Sequence, residues 1–285
     1  MKKQTIGLKQ NSIEALKMLI VQRRTHSYAK RWNNAYILIV VILPVVAYSL
    51  KFFNVDISSV IALITIISII LEVVLFNPCI KDFKEKAINV QEQFDDYVFG
   101  LKWPTYKFNT KVLYNAECKL SPGQIDDNVK KEKLKNWYVL PLKNNNILYC
   151  QKQNLNYSET LRKDLQMFNV TSSIVIIIVT VLICYFSKNE FGECLVDFVI
   201  PVVPVLKWLL NNSIVLENYM KRLLNVVSKI EMIERKMVNI NINQEIQSEI
   251  IELRRMAPFV PDWYYKLRRD EIEKSLPKKS QGKDK

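Results

Sequence analysis

The chain has 285 residues, 49% of them hydrophobic, and its 41 lysines and arginines against 28 aspartates and glutamates give a net charge of +13. Its five scattered glycines exclude the glycine-rich phosphate loops of nucleotide-binding enzymes, and a single histidine, His26, leaves little for histidine-based metal sites or catalysis. We therefore expect a protein that is not an enzyme, with no catalytic residue, no metal site and no resident cofactor.

The first element is an amphipathic helix over residues 1–34. Ile13, Leu16 and Leu19 share one face, and a basic cluster follows at residues 23–31. Because anionic lipid attracts such a helix, we expect it to lie on the cytoplasmic surface of a membrane.

Four stretches of the chain are almost purely apolar: residues 35–53, 57–76, 170–186 and 195–210. A bilayer core needs about 20 helical residues, and about 17 at the least. The first three stretches meet this length. The fourth contains Asp197, Lys207, Pro201 and Pro204 and meets it only with flanking residues, so a buried core helix is its alternative. We predict a mainly α fold with four transmembrane helices in two hairpins, residues 35–76 and 170–210.

Polar side chains recur within the second and fourth spans: Ser58, Thr65, Ser68, Glu72 and Lys207. Spacings of seven, three and four place the first four of them on one helix face. This stripe either lines a pore or polar bundle interior, or helps the helices to pack. We expect Glu72 and Lys207 at similar depth, where they pair unless Lys207 extends to the lipid headgroups.

Residues 77–169 form a cytoplasmic insert between the hairpins. Helical periodicity predicts a helix from residue 78 to about 97, and a second helix begins near Asn156 and continues unbroken into the third span. Between them lies an irregular, aromatic region. Asp95, Asp96, Asp126 and Asp127 lie among lysines without metal-site spacing, which indicates solvated charge.

Residues 211–275 form a cytoplasmic helical region, followed by a disordered tail at residues 276–285. An apolar stripe with spacings of three and four crosses the first part of this region: Leu216, Tyr219, Leu223, Val226, Ile230, Ile233, Met237 and Ile240. It packs either on the helix at residues 77–100 of the same chain or on another copy, as in a coiled coil. A second helix is predicted from about residue 244 to 255.

The distribution of basic residues predicts the orientation. Thirteen lysines and arginines flank the spans at the N-terminus, the insert and the C-terminal region, against two in the opposite connections. Since basic residues stay on the cytoplasmic side, we expect a multi-pass protein of the cell inner membrane with both termini in the cytoplasm.

The chain resembles the SMODS-associated four-transmembrane effector family of bacterial nucleotide-signalled antiphage (CBASS) systems. Its order of spans and four short strings carry the resemblance: Asn136-Trp137-Tyr138, Cys150-Gln151-Lys152-Gln153-Asn154, Leu161-Arg162 and Pro261-Asp262-Trp263-Tyr264. The resemblance implies a resting membrane protein that a cyclic nucleotide, made by a partner nucleotidyltransferase, activates to breach the inner membrane.

An anionic nucleotide with a flat base needs cationic and aromatic side chains. We expect them among six residues of the insert: Trp137, Tyr138, Gln151, Asn154, Tyr157 and Arg162. The alternative is that the aromatic rings form the core of a small domain.

Two functions agree with these features. The first is an effector that oligomerises with itself and permeabilises the bilayer on binding a cyclic nucleotide, because four helices are too few to enclose a wide pore. The second is a non-conducting membrane-anchored sensor or scaffold that recruits partners through its cytoplasmic helices. We expect no direct binding of DNA or RNA in either case.

Overall fold

The computed structural model describes residues 5–42, 63, 66–68, 70–101, 121–132, 134–138, 146–186, 191–194, 199–236, 240–261, 264–268 and 271. Within these ranges the chain forms helices and no strand, which confirms the mainly α class. Ser58, Thr65, most of the first two predicted spans and the tail at residues 276–285 lie outside them.

The described ranges contain, in chain order, the helices α1 (Ile6–Gln10), α2 (Ile13–Tyr36), α3 (Asn77–Phe99), α4 (Pro122–Glu132), α5 (Ile147–Phe186), α6 (Phe191–Cys194), α7 (Ile200–Lys236) and α8 (Ile240–Met256). Residues 264–268 are also helical. Wider π-helical turns extend α2 through Ile37–Ile42 and precede α3 at Glu72–Phe76.

The helices α2 and α3 pack side by side along their length. Ser12 caps α2 by accepting a hydrogen bond from the Ala15 backbone amide. Gly100 ends α3 in the left-handed conformation, with φ of 68°, which glycine adopts without steric cost. Leu19 of α2 and Phe94 of α3 are fully buried in the core between them. The apolar face of the N-terminal helix is therefore covered by α3.

The helices α5 and α7 form the second long pair. The part of the predicted stripe from Leu216 to Ile230 is buried, with Leu216, Leu223 and Ile230 at 0% exposure, and Met237 lies outside the described residues. Its partners are α5 and α8, and the helix at residues 77–100 is not its main neighbour, so that predicted packing is wrong. The apolar stripe is therefore covered by helices of the same chain, and no second copy is needed to bury it.

The helix α8 lies between the two pairs and contacts α3, α5 and α7. Ile246, Ile250 and Leu253 join the α7 core, whereas the opposite edge of α8 faces α3 through polar contacts. The insert therefore shares its cores with the N-terminal and C-terminal helices.

The predicted helices at 78–97 and 244–255 correspond to α3 and α8. The predicted start at Asn156 is wrong, because α5 begins at Ile147, where the Asn146 side chain accepts a hydrogen bond from the Leu148 amide. The predicted continuity is confirmed, since α5 runs 40 residues without a break.

Among the described helices, α5 is long and apolar enough to cross a bilayer. Only 11% of its most apolar stretch is buried within the protein, and Val181 and Phe186 are 61% and 73% exposed. A core helix of a soluble protein would be covered instead. The four-span topology remains a prediction for the rest of the chain.

Candidate functional site

A cavity of about 280 Å³, here called the central cavity, lies between the two helix pairs in the region predicted to be cytoplasmic. Its walls come from α2, α3, α5, α7 and the segment that follows α8. Because both pairs contribute to the walls, their relative position determines the shape of the cavity.

Four of the six predicted ligand-binding residues line the central cavity: Trp137, Asn154, Tyr157 and Arg162. Residues at spacings of three and five on α5 face one side, and Trp137 approaches from the loop before it. Tyr138 and Gln151 lie outside this lining. Gln151 is outside the lining because its side chain contacts α8, where its Nε2 donates a hydrogen bond to Gln247 Oε1.

Two side chains of the lining have a buried polar atom without a hydrogen-bond partner. They are Arg162, through Nε, and Gln22, through Oε1, and no described residue satisfies either atom. The Arg162 guanidinium lies 4.8 Å from the centre of the Tyr219 ring, which positions it without using its donors. Buried polar atoms are normally hydrogen-bonded, so this pair of a donor and an acceptor indicates room for a polar ligand.

The described lining of the central cavity carries an excess of positive charge, although Arg254 is paired with the buried carboxylate of Asp95. Its cationic side chains are Lys30, Lys84, Arg162 and Arg254, and its described lining contains no carboxylate. Like charges held together in a partly desolvated space repel one another, and an anion relieves that repulsion. The lining therefore favours a negatively charged ligand.

The surroundings of Lys84 change the pKa of its ammonium group. Its ammonium donates hydrogen bonds to the backbone carbonyls of Arg255, at 2.6 Å, and Ala257, at 2.8 Å. Burial, assisted by the positive charge of Arg162 and opposed by Glu85, lowers the pKa of Lys84 to about 8. Both the carbonyl contacts and an anion in the cavity favour its protonated form.

Tyr138 and Gln151 belong to a buried network centred on Asp95, whose side chain has 0% exposure. Asp95 accepts hydrogen bonds from Tyr138 Oη at 2.6 Å, Gln247 Nε2 at 2.8 Å and an Arg254 guanidinium nitrogen at 2.6 Å. Gln151 Nε2 in turn donates to Gln247 Oε1 at 2.9 Å. Asp95 is therefore not a solvated charge, contrary to expectation.

The network connects to the central cavity through Arg254, which lines the cavity and pairs with Asp95. Burial and the Asp95 charge raise the pKa of Tyr138 well above its ordinary value, so the tyrosine stays a neutral donor. Sequence reasoning missed Asp95, Arg254 and Gln22. Asp95 did carry a signal, because it stands at helical spacing from the buried Ile88 and Phe99 on α3.

The described part of the polar stripe faces the first span. Ser68 Oγ donates to the Ile39 carbonyl, and Glu72 accepts a hydrogen bond from Tyr36 Oη, both at 3.4 Å. No ion pair joins Glu72 to Lys207, whose side chain is exposed on α7. These contacts join the helical segments at residues 36–39 and 68–72.

No cluster of three ligand-type side chains that could hold a metal ion occurs in the described ranges. Asp126 and Asp127 are exposed on α4, as expected for solvated charge.

The model of the SMODS-associating 4TM effector domain family matches residues 4–281, nearly the whole chain. The chain belongs to this family. The resemblance seen in the sequence is thereby confirmed. A probable CBASS effector molecule from Bacillus cereus (strain VD146) is 24% identical over 286 residues, covering 94% of each protein. No solved structure matches the chain. Membership in this effector family places the protein in antiphage defence at a membrane.

Proposed function

We propose that the protein permeabilises the bacterial inner membrane when a cyclic nucleotide, made by a partner nucleotidyltransferase, binds in the central cavity. The observation that carries the proposal is the cavity lining, which combines four cations with the unpartnered polar atoms of Gln22 and Arg162. Family membership supports the role in defence, and the exposed apolar surface of α5 supports the action on lipid.

The chemistry of a cyclic nucleotide matches these groups. Arg162 and Arg254 offer planar guanidinium groups suited to phosphate oxygens. Trp137 and Tyr157 offer ring faces for a base, and Gln22 and Asn154 offer amides for its polar edge.

The small volume of the central cavity explains how ligand binding moves the helices. The cavity volume of about 280 Å³ is near the lower limit of about 300 Å³ for ligand pockets. A cyclic oligonucleotide fills it only if the walls move apart. Since the walls belong to both helix pairs, binding shifts the α5–α7 pair relative to the α2–α3 pair.

Permeabilisation requires several copies. We propose that they assemble through surfaces other than the α7 stripe, which is already buried within the chain. Exposed apolar side chains on α5, such as Ile178 and Leu182, are available for contacts with lipid or with another copy.

The test combines nucleotide binding with dye release. The purified full chain is titrated with a panel of cyclic nucleotides by calorimetry, and the same protein is reconstituted into dye-loaded liposomes. We expect one nucleotide to bind and to cause leakage, and Arg162→Ala to weaken binding about tenfold or more, because it removes a charged hydrogen-bond donor. Lys130→Ala, on the exposed surface of α4, is the matched control.

Three results would contradict the proposal in different ways. Binding without leakage would favour the non-conducting sensor. Binding that Arg162→Ala leaves unchanged would place the ligand outside the central cavity. An absence of binding across the panel would overturn activation by a cyclic nucleotide.

A further inference from the structure

A second cavity of about 400 Å³, here called the boundary cavity, opens beside the central cavity between α2, α3 and α7. Two exposed apolar side chains lie next to residues of its lining: Leu38 is 58% exposed and Leu75 is 38% exposed. Asn34, four residues before Leu38, and Asn77, two residues after Leu75, both line the cavity. The boundary cavity therefore lies where the apolar surface gives way to the polar one.

The lining of the boundary cavity is positively charged. Lys30, Lys81, Lys84 and Arg255 contribute cations, and the carboxylate among its described residues belongs to Glu85. That carboxylate already contacts Arg255, at 3.3 Å. Positive charge is therefore in excess in the lining, and Lys81 is exposed and forms no ion pair with a described residue.

The remaining walls divide into a polar and an apolar side. The amides of Asn33, Asn77 and Asn212 provide hydrogen-bond donors next to the lysines. Ile37 and Trp208 provide apolar surface on the side of the predicted membrane spans. Tryptophan at such a level suits the interfacial zone of a bilayer, where headgroups and acyl chains meet.

We infer that the boundary cavity binds the phosphate-bearing headgroup of an anionic lipid of the cytoplasmic leaflet. The inference rests on the membrane placement in the proposed function. Basic pockets between helices on the cytoplasmic side suit anionic headgroups. The phosphate sits among Lys81 and the asparagine amides, and the apolar side accommodates the first part of an acyl chain. A soluble phosphate gains nothing from that apolar side, which is why lipid is the better fit.

Two lining residues separate this site from the nucleotide site. Lys30 and Lys84 line both cavities, whereas Lys81 and Asn212 line the boundary cavity alone. Substituting the latter pair therefore tests the lipid site and leaves the groups proposed for the nucleotide in place. Lys81 is exposed, so its removal does not open the core.

The experiment follows thermal unfolding of the full chain in a neutral detergent during titration with a short-chain phosphatidylglycerol. Parallel titrations use the matching phosphatidylcholine and inorganic phosphate. We expect phosphatidylglycerol alone to raise the unfolding temperature. Lys81→Ala and Asn212→Ala should each weaken its apparent affinity, Lys81→Ala by about tenfold, while Lys130→Ala leaves it unchanged.

Three results would each contradict the inference of a lipid site. Equal protection by inorganic phosphate would identify a soluble ligand, and equal protection by phosphatidylcholine would show that charge is not recognised. Lys81→Ala behaving like Lys130→Ala would locate lipid binding elsewhere. Any of these overturns the inference. Nucleotide binding is measured by calorimetry on the same variants. If the two sites are distinct, the affinity for the nucleotide stays unchanged in each variant. An absence of nucleotide binding in every variant and in the wild type would contradict the proposed function and not the lipid site.

Discussion

Asp95 carries a carboxylate that is fully buried, and its three hydrogen-bond donors all come from outside its own helix. Tyr138 belongs to the loop before α5, and Gln247 and Arg254 belong to α8. One carboxylate on α3 thereby fixes the position of two other segments. Because Arg254 also lines the central cavity, the network holds one of the cations proposed to contact the ligand.

Asp95→Asn should destabilise the protein by roughly 3 to 5 kcal/mol, because Arg254 then keeps a buried charge without its counterion. Thermal or denaturant unfolding of the purified chain measures the change. Asp126→Asn, at an exposed position on α4, is the control and should change stability by less than about 0.5 kcal/mol. The double variant Asp95→Asn with Arg254→Met should recover part of the loss. A single Asp95→Asn variant as stable as its control would show that the network does not support the fold.

The lowered pKa of Lys84 predicts how ligand binding depends on pH. In the unliganded protein its pKa is lowered to about 8 by burial and by the charge of Arg162, and an anionic ligand raises that pKa again. Affinity for the ligand is therefore complete below this pKa and decreases as the pH rises through it. Calorimetry from about one unit below to about one unit above this pKa measures the decrease.

Lys84→Arg is the matched variant for this measurement, because arginine stays charged throughout the same pH range. It should bind with little dependence on pH. A wild-type affinity that is constant across the range, or an equal dependence in Lys84→Arg, would assign the effect to another group.

The helix α7 has one face that is buried in the core and another that is exposed. Leu223 has 0% exposure, and its chain neighbour Leu224 is 46% exposed. The stripe was compatible with either a second copy or the same chain, and it packs against α5 and α8. These two leucines provide an internal comparison on one turn of helix.

Leu223→Ala should destabilise the folded chain by about 2 to 5 kcal/mol, since it leaves a cavity in the core. Leu224→Ala should cost less than about 1 kcal/mol. Unfolding measurements on the purified protein, combined with its oligomeric state from light scattering, distinguish two cases. Loss of oligomers with unchanged unfolding in Leu223→Ala would mean that the stripe joins two chains.

The central cavity lies between two helix pairs, and α8 contacts both of them. A ligand there contacts α2 and α3 from one pair and α5 and α7 from the other. The response to the ligand should therefore involve both pairs together.

Hydrogen exchange with and without the activating nucleotide tests this joint response. We expect slower exchange in cavity-facing segments of both pairs, at residues 22–30 of α2 and residues 154–162 of α5, because the ligand contacts each wall. The variant Arg162→Ala should show neither change. Slower exchange in one pair alone would indicate a site on that pair and not between the two.

Helical periodicity predicted α3, α8 and the continuity of α5, because these properties depend on residues close in sequence. The partner of the α7 stripe was not predictable, since apolar spacing shows that a face is buried but not which helix covers it. Likewise, the Asp95–Arg254 pair joins residues 159 positions apart. Part of the cavity lining was identified from the sequence: Asn154, Tyr157 and Arg162 line the cavity from α5, whereas Gln22 and Lys84 reach it from α2 and α3, far away in sequence.

The helix α5 contains no glycine and no proline over its 40 residues, so it lacks the usual points of bending. At about 1.5 Å per residue, Arg162 lies about 8 Å from Met167, where exposed apolar residues begin, and Phe186 lies about 28 Å beyond it. If the helix pivots as a stiff lever near Met167, its end at Phe186 sweeps nearly four times as far as the arm at Arg162. A displacement of about 1 Å at the ligand then becomes about 4 Å at the far end of α5, without unfolding a single turn.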